Sequence, residues 1–277
     1  MGRRSVRSRD ARTQRIGSTA KEMGNSKFDG VVLMKSFSVE KDSLRRKIWS
    51  LMEEGGISRF PKPVLGRIPN FVGAEIAAAR LVEEEEYRRA RIVKVNPDAP
   101  QHTVRLKVLL DGKMLLVPTP RLREGFMVLD PDGIPRGSYA EASTIRGSFK
   151  HGRPCRLDEL PRVDMVVDGS VAISEDGVRI GKGGGYSELE YAILREVGAV
   201  GDDTPVFTTV HDVQIVDHVP KEPHDLTVDA IMTPTRTIRA KRSYERPKGI
   251  LWGKISQDQL RNIPVLLELR KAGVPLG

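Results

Sequence analysis

Five residues confine the fold more than any others in this chain. Gly181-Lys-Gly-Gly-Gly185 stands between an aliphatic run, Val163–Val167, and a helical pattern over about 187–197. Glycine has no Cβ, so such a stretch can take positive φ and let a ligand approach the backbone. The helix that follows aims its free N–H groups, and the positive end of its dipole, back at the loop. Arg179 and Lys182 add charge. Strand, glycine turn and helix N-terminus together predict an anion site suited to phosphate. The alternative for the same residues is a flexible turn.

Two commoner phosphate motifs do not fit. A P-loop needs four residues between its first glycine and Gly-Lys, then Ser or Thr; here Gly177 and Gly181-Lys182 are separated by three, and Gly183 follows. The dinucleotide fingerprint needs G-x-G-x-x-G, whereas this loop reads G-x-G-G-G.

Around the loop, short β-branched or aliphatic runs predict strands at Ala90–Val95, Val104–Leu110, Met114–Val117, Val163–Val167, Val206–Val210 and Val228–Met232, with Asp111-Gly112 as a turn. Helical patterns separate several of them. The alternation predicts an α/β fold: an open, mostly parallel sheet with helices on both faces. A first helix is expected over 39–54, capped by Ser38, with Leu44, Ile48, Leu51 and Met52 inward, Lys41, Arg45, Arg46 and Lys47 outward, and Gly55-Gly56 as its end. A second is expected over 73–89, burying Ile76, Ala79, Leu81 and Val82, with Arg80 outward. Residues 119–162 yield no assignment. Near the end, Ser256 and Gln259 form a capping box, and Pro264 opens a helix to 272 that stops at Gly273.

Charge is uneven. The net value is +9, but residues 1–15 carry six arginines against Asp10, so the body is only mildly basic. We divide the chain into a basic flexible arm, 1–35, and a domain, 36–277, with a C-terminal helical extension from about 241. The arm reads as a dispensable extension with Met34 as a second possible start, as a nucleic-acid arm, or as a targeting peptide. One cysteine, Cys155, excludes an internal disulfide, and a cytoplasmic location is the default expectation. No 18-residue apolar stretch is present, so no membrane is expected. His211, His218 and His224 are spaced too widely for a tight metal motif, Trp49 and Trp252 read as core or interface, and no G-x-S-x-G elbow occurs.

Arg179-Ile-Gly-Lys-Gly-Gly-Gly-Tyr-Ser-Glu188 resembles the Arg-x-Gly-x-Gly-Gly-Gly-Tyr-Tyr-Asp signature of 5-formyltetrahydrofolate cyclo-ligases, also called methenyltetrahydrofolate synthetases. Further stretches stand in the family's order: Lys41-Asp-Ser-Leu-Arg45, Asp111-Gly-Lys-Met-Leu-Leu-Val-Pro118, Asp164–Ala172, Gln214, Val219-Pro220, His224-Asp225 and Val228–Pro234. Arg67-Ile-Pro-Asn-Phe-Val-Gly-Ala74 and Arg246-Pro-Lys-Gly-Ile-Leu-Trp252 resemble a divergent branch, the methenyltetrahydrofolate synthetase domain-containing proteins. The likeness runs over roughly 38–240.

The resemblance implies a CoA-transferase-like open sheet and a ligase that uses ATP and Mg²⁺. In that family ATP phosphorylates the formyl oxygen of 5-formyltetrahydrofolate, N10 closes the ring, and 5,10-methenyltetrahydrofolate, ADP and phosphate result. Carried over by position, Lys41 and Arg45 meet the phosphates of ATP. Arg179, Gly181, Lys182, Gly183, Gly184 and Gly185 wrap them. Tyr186 lies between nucleotide and pterin, with Arg179 and Tyr186 in the catalytic role. Glu188 and Asp225 take the metal slots, and a reduced folate or related pterin is the second substrate. The sequence departs from the signature at Ser187 and Glu188, where the family has Tyr and Asp. Ala77, not Glu75, stands in the best register of the family's folate-side Glu, and the usual Gly-Ile-x-Glu-Pro stretch has no counterpart. An acceptor other than folate, or RNA or DNA binding through the arm, are the competing expectations.

Overall fold

The computed structural model describes residues 25–241 and 244–271. Its elements in chain order are α1 Asn25–Glu54, α2 Ala74–Glu83, α3 Glu85–Arg89, β1 Ile92–Val95, α4 His102–Leu110, β2 Met114–Pro118, β3 Phe126–Leu129, α5 Tyr139–Ala142, α6 Ile145–His151, β4 Arg153–Cys155 and β5 Met165–Asp168. There follow β6 Ala172–Ser174, β7 Arg179–Ile180, α7 Tyr186–Glu196, β8 Val206–Thr209, β9 Ile215–Val216, β10 Ala230–Met232, β11 Thr237–Arg239, α8 Gln257–Asn262 and α9 Pro264–Lys271.

Eight strands form the main sheet in the order β11-β10-β8-β5-β1-β2-β3-β4. The central run from β10 to β2 pairs in parallel throughout. Antiparallel strands close both edges. β7, β6 and β9 make a small second sheet. The expected α/β architecture is therefore present, and the alternation along each strand shows why. Val93, Val95, Leu115, Val117, Met165 and Val167 point into one core, with α1, α2 and α4. Leu116, Val166 and Ile231 point into another, with α7 and α9. A strand buried on both faces reads as a continuous apolar run, as these do.

Several expectations need correction. Val104–Leu110 is helix, not strand: Val104, Arg105, Val108 and Leu109 are buried and Leu110 is exposed, a helical face packed beside α2. Short apolar runs do not distinguish the two periods. Asp111-Gly112 consequently turns a helix into β2, with Gly112 at φ 67. α1 starts at Asn25, so Ser38 lies inside the helix rather than capping it, and 25–35 belong to α1. Residues 1–24 of the expected arm, and the stop at Gly273, lie outside the described residues. Leu51 is exposed, whereas Ile48, Trp49 and Met52 are buried. In α2 the buried face is Ala74, Ala77, Ala78 and Leu81, and Ile76 is exposed. Arg80 donates back to the carbonyls of Pro234 and Thr235 instead of pointing free.

The Ser256–Gln259 capping box forms on both sides. α9 buries Val265, Leu266 and Leu269 in the second core. Arg246, buried, donates to the carbonyls of Thr227 and Thr204, which pins the segment before α8 to the sheet. The C-terminal helices are thus part of the body's packing. No described helix is long and apolar enough to cross a membrane.

Candidate functional site

The chain does not pass directly from β5 to the glycine loop. It first forms the β6–β7 hairpin, whose turn uses Gly177 at φ 90, and β7 delivers Arg179 and Ile180 to the loop. Gly183 takes φ 100, and Gly185, at φ 67, is the N-cap of α7 without any side-chain cap. The first intrahelical bond runs from the Leu189 N–H to the Gly185 carbonyl, 3.1 Å. The N–H groups of the first turn therefore face the loop, as an anion site requires.

Two cavities flank this loop, and Gly181, Gly185 and Glu188 belong to both. The smaller, about 240 Å³, is polar and is walled by Lys41 and Arg45 of α1, Gly183, Glu222, His224 and Asp225. The larger, about 880 Å³, is walled by Tyr186, Ser187 and Glu190 of α7, by Lys182 and Gly184, and by Phe60, Ile68, Asn96, Pro97, His102, Pro120 and Arg121 on the other side.

The helix-face reading of Lys41 and Arg45 gives way to a buried Lys41 and a half-buried Arg45. Lys41 is 5% exposed and donates to Asp225 Oδ2 at 2.6 Å and Glu222 Oε2 at 2.9 Å. Burial would raise the Glu222 carboxyl, but the hydrogen bond and charge of Lys41 outweigh it and hold the group below its ordinary range. Asp225 Oδ2 also accepts the Glu222 N–H at 2.6 Å. Arg45 Nε donates to the Gly181 carbonyl at 2.7 Å, its other arm pairs with Asp42, and its guanidinium lies over Gly183.

Arg179 is fully buried and lines neither cavity. Its guanidinium holds Asp168 Oδ2 at 2.8 Å, Glu188 Oε1 at 2.9 Å and the Gly169 carbonyl at 2.8 Å. Burial opposes its charge, yet Asp168 and Glu188 leave it more firmly protonated than usual. Arg179 thus underlies the loop and orients Glu188 rather than meeting a ligand itself. Lys182 pairs with Asp98 at 3.0 Å on the larger cavity's side of the loop. Tyr186 and Gly184 line the larger cavity only.

Glu188 and Asp225, the expected metal pair, share the smaller cavity. Carboxylate and imidazole atoms of Glu222, His224 and Asp225 lie within 4.8 Å of one another. Glu222 and Asp225 offer oxygen donors of the kind that suit Mg²⁺, with His224 beside them, while Glu188 lines the same cavity outside that cluster with its Oε1 held by Arg179. His211 stands apart from this cluster and caps the turn Asp212–Gln214. Trp49 is buried and donates to the Arg67 carbonyl at 2.9 Å, as a core residue does. Burial pushes the Cys155 thiol up, away from nucleophile chemistry.

One buried group escaped sequence reading. Lys94 of β1 is wholly inaccessible, and its Nζ lies 2.7 Å from Glu190 Oε2, 2.5 Å from Asn96 Oδ1 and 3.7 Å from Asp168 Oδ1. Asn96 in turn donates to Ser187 Oγ at 3.0 Å. Burial raises the Glu190 carboxyl to about 7 against the pull of Lys94, and the charge of Asp168 adds to the rise. Glu190, Lys94, Asp168, Arg179 and Glu188 form one chain of alternating charge between the two cavities. The available signal was a lysine inside Ile92-Val93-Lys94-Val95, an aliphatic strand in which only a paired cation is tolerable. Glu75, by contrast, is exposed and lines neither of the two cavities.

Residues 37–234 match the 5-formyltetrahydrofolate cyclo-ligase family. The chain belongs to that family. Among curated relatives, the methenyltetrahydrofolate synthase domain-containing protein of Mus musculus is 49% identical over 238 residues, which cover 84% of this chain and 64% of that one. The Homo sapiens protein of the same name is 45% identical over 241 residues, 85% of this chain and 63% of its own. The chain thus spans less than two thirds of these relatives' length. Aquifex aeolicus 5,10-methenyltetrahydrofolate synthetase is a structural neighbour at a TM-score of 0.47 and 18% identity, covering 74% of this chain and 96% of that one. The cyclo-ligase signature accordingly falls on the loop that separates the two cavities, with Ser187 and Glu188 at its variant positions.

Proposed function

We propose that the chain is an ATP-dependent cyclo-ligase that closes a ring on an N-formylated reduced folate, giving 5,10-methenyltetrahydrofolate with ADP and phosphate. The observation that carries this reading is the pair of cavities, one polar and phosphate-sized and one large and mixed, that share the wall Gly181–Gly185 and Glu188. A reaction that moves a phosphoryl group from one ligand to another needs two sites meeting at one wall.

The smaller cavity has Lys41 and Arg45 facing Glu188, Glu222 and Asp225. Bare triphosphate would meet net negative charge there, whereas phosphate accompanied by a divalent cation is accommodated. When bound, ATP and Mg²⁺ supply a phosphoryl group that turns the formyl oxygen into a leaving group. Glu188 and Asp225 would hold the metal, with Glu222 beside them. Lys41, Arg45 and the N–H groups at the start of α7 would neutralise phosphate charge. Arg179 keeps Glu188 in place, and Tyr186 walls the second substrate.

The deciding assay combines purified full-length chain, 5-formyltetrahydrofolate, Mg²⁺ and ATP. The near-ultraviolet absorbance of the methenyl product should appear with one ADP per turnover. ATP binding without that product would sink the folate assignment and favour the second reading, another phosphorylatable acceptor, to which Ser187 and the exposed Glu75 point. A cytoplasmic setting belongs to the same proposal. RNA or DNA binding through residues 1–24 would show as salt-sensitive retention that disappears when they are removed.

A further inference from the structure

The larger cavity carries a buried carboxylate, Glu190, in its wall. Lys94 spends its ammonium on Glu190 Oε2 and Asn96 Oδ1, and Asn96 spends its amide N–H on Ser187 Oγ. The second carboxylate oxygen of Glu190 has no donor among the described residues, and Ser187, which accepts from Asn96, keeps its own O–H beside it. The side walls are flat and apolar, from Ile68, Pro97, Pro120 and Tyr186. The cations Arg67, Arg121 and Lys182 also line this space. Arg121 stands at φ 57 and ψ 24, a left-handed conformation that a non-glycine residue takes only when its surroundings impose it.

This polarity sorts ligands. Ionised, the buried Glu190 carboxylate repels a phosphate or carboxylate and binds a ring edge that carries N–H groups. We infer that Glu190, braced by Lys94 and Asn96, is the specificity residue of the larger cavity, accepting hydrogen bonds from the amino and ring N–H groups of a flat nitrogen heterocycle whose acidic substituent points toward the cationic side. The inference rests on the folate reading for the identity of the whole substrate, but the anchor itself concerns the ring alone. Glu190 is buried to 5% exposure, so a ligand that reaches it has shed its water, and a missing partner is costly.

Isolated pterin, a 2-amino-4-oxo ring without a tail, separates the two claims, because its fluorescence reports binding directly. Full-length wild type should bind it, and Glu190→Gln should weaken binding about 10- to 100-fold. A ring without the 2-amino group should bind both proteins alike. Gln retains the carbonyl that accepts from Lys94, so circular dichroism and thermal unfolding should show a folded variant. Glu190→Asp, which keeps the acceptor but draws it back, should fall between. Pterin binding without turnover of 5-formyltetrahydrofolate would remove the cyclo-ligase reading and leave the anchor standing. Wild type that fails to bind pterin, or a folded Glu190→Gln variant with unchanged affinity and unchanged discrimination for the 2-amino group, would overturn the anchor.

Discussion

Replacing Lys94 with Met tests the buried charge chain at its centre. The substitution keeps the length of the stem and removes one cation that is 0% exposed. Glu190 loses its partner at 2.7 Å, while Asp168 keeps Arg179 at 2.8 Å. Breaking a buried pair from one side costs about 3–5 kcal/mol, because the remaining charge is left without compensation. For a domain of this size that corresponds to a fall in Tm of about 10 °C. The pH dependence carries a definite sign. The Glu190 carboxyl sits at about 7 in the folded state against an ordinary value of 4.5. Between those values the folded state holds more protons than the unfolded one, so wild-type stability falls as pH rises from about 4.5 to about 7. Without Lys94 the folded carboxyl rises further. The deficit of Lys94→Met should therefore be large at pH 8 and smaller at pH 5, where Glu190 is neutral. Urea unfolding at both pH values measures it. The double variant Lys94→Met, Glu190→Met should recover most of the loss, since an apolar pair of similar volume replaces the charges. A deficit below about 1 kcal/mol at pH 8, or a double variant no more stable than the single, would refute the assignment of Lys94 to a closed buried network.

Gly183→Val should lower MgATP affinity at least about 10-fold in calorimetry, because it forces a β-branched residue to φ 100 and places its methyls under the Arg45 guanidinium. Gly56→Ala, at φ 64 with open space around it, controls for backbone strain alone and should leave that affinity unchanged at a cost of about 1 kcal/mol in stability. Cys155 should react slowly with a thiol reagent in the native protein and quickly in denaturant, as its burial and raised thiol demand. Fast native labelling would contradict its placement on β4.

Local sequence carried what depends on local geometry. A strand buried on both faces is apolar or β-branched nearly throughout, so the runs at 114–117, 163–167 and 206–210 announce themselves. Gly183 and Gly185 mark the loop's positive φ because other residues are strained there, and Ser256 with Gln259 spells its own cap. Val104–Leu110 misled because a seven-residue run with five aliphatic positions satisfies both periods, and burial against α2 chose between them. The site is a different matter. Lys41 meets Asp225 across 184 positions, and Lys94 meets Glu190 across 96. Nothing in either neighbourhood names its partner. β1 has to lie beside β5, and α7 has to cover the face on which Lys94 points, before an ammonium in an aliphatic strand acquires its carboxylate. A charge may enter a low-dielectric interior only together with its counter-charge, and which counter-charge arrives is a property of the chain's path through the sheet.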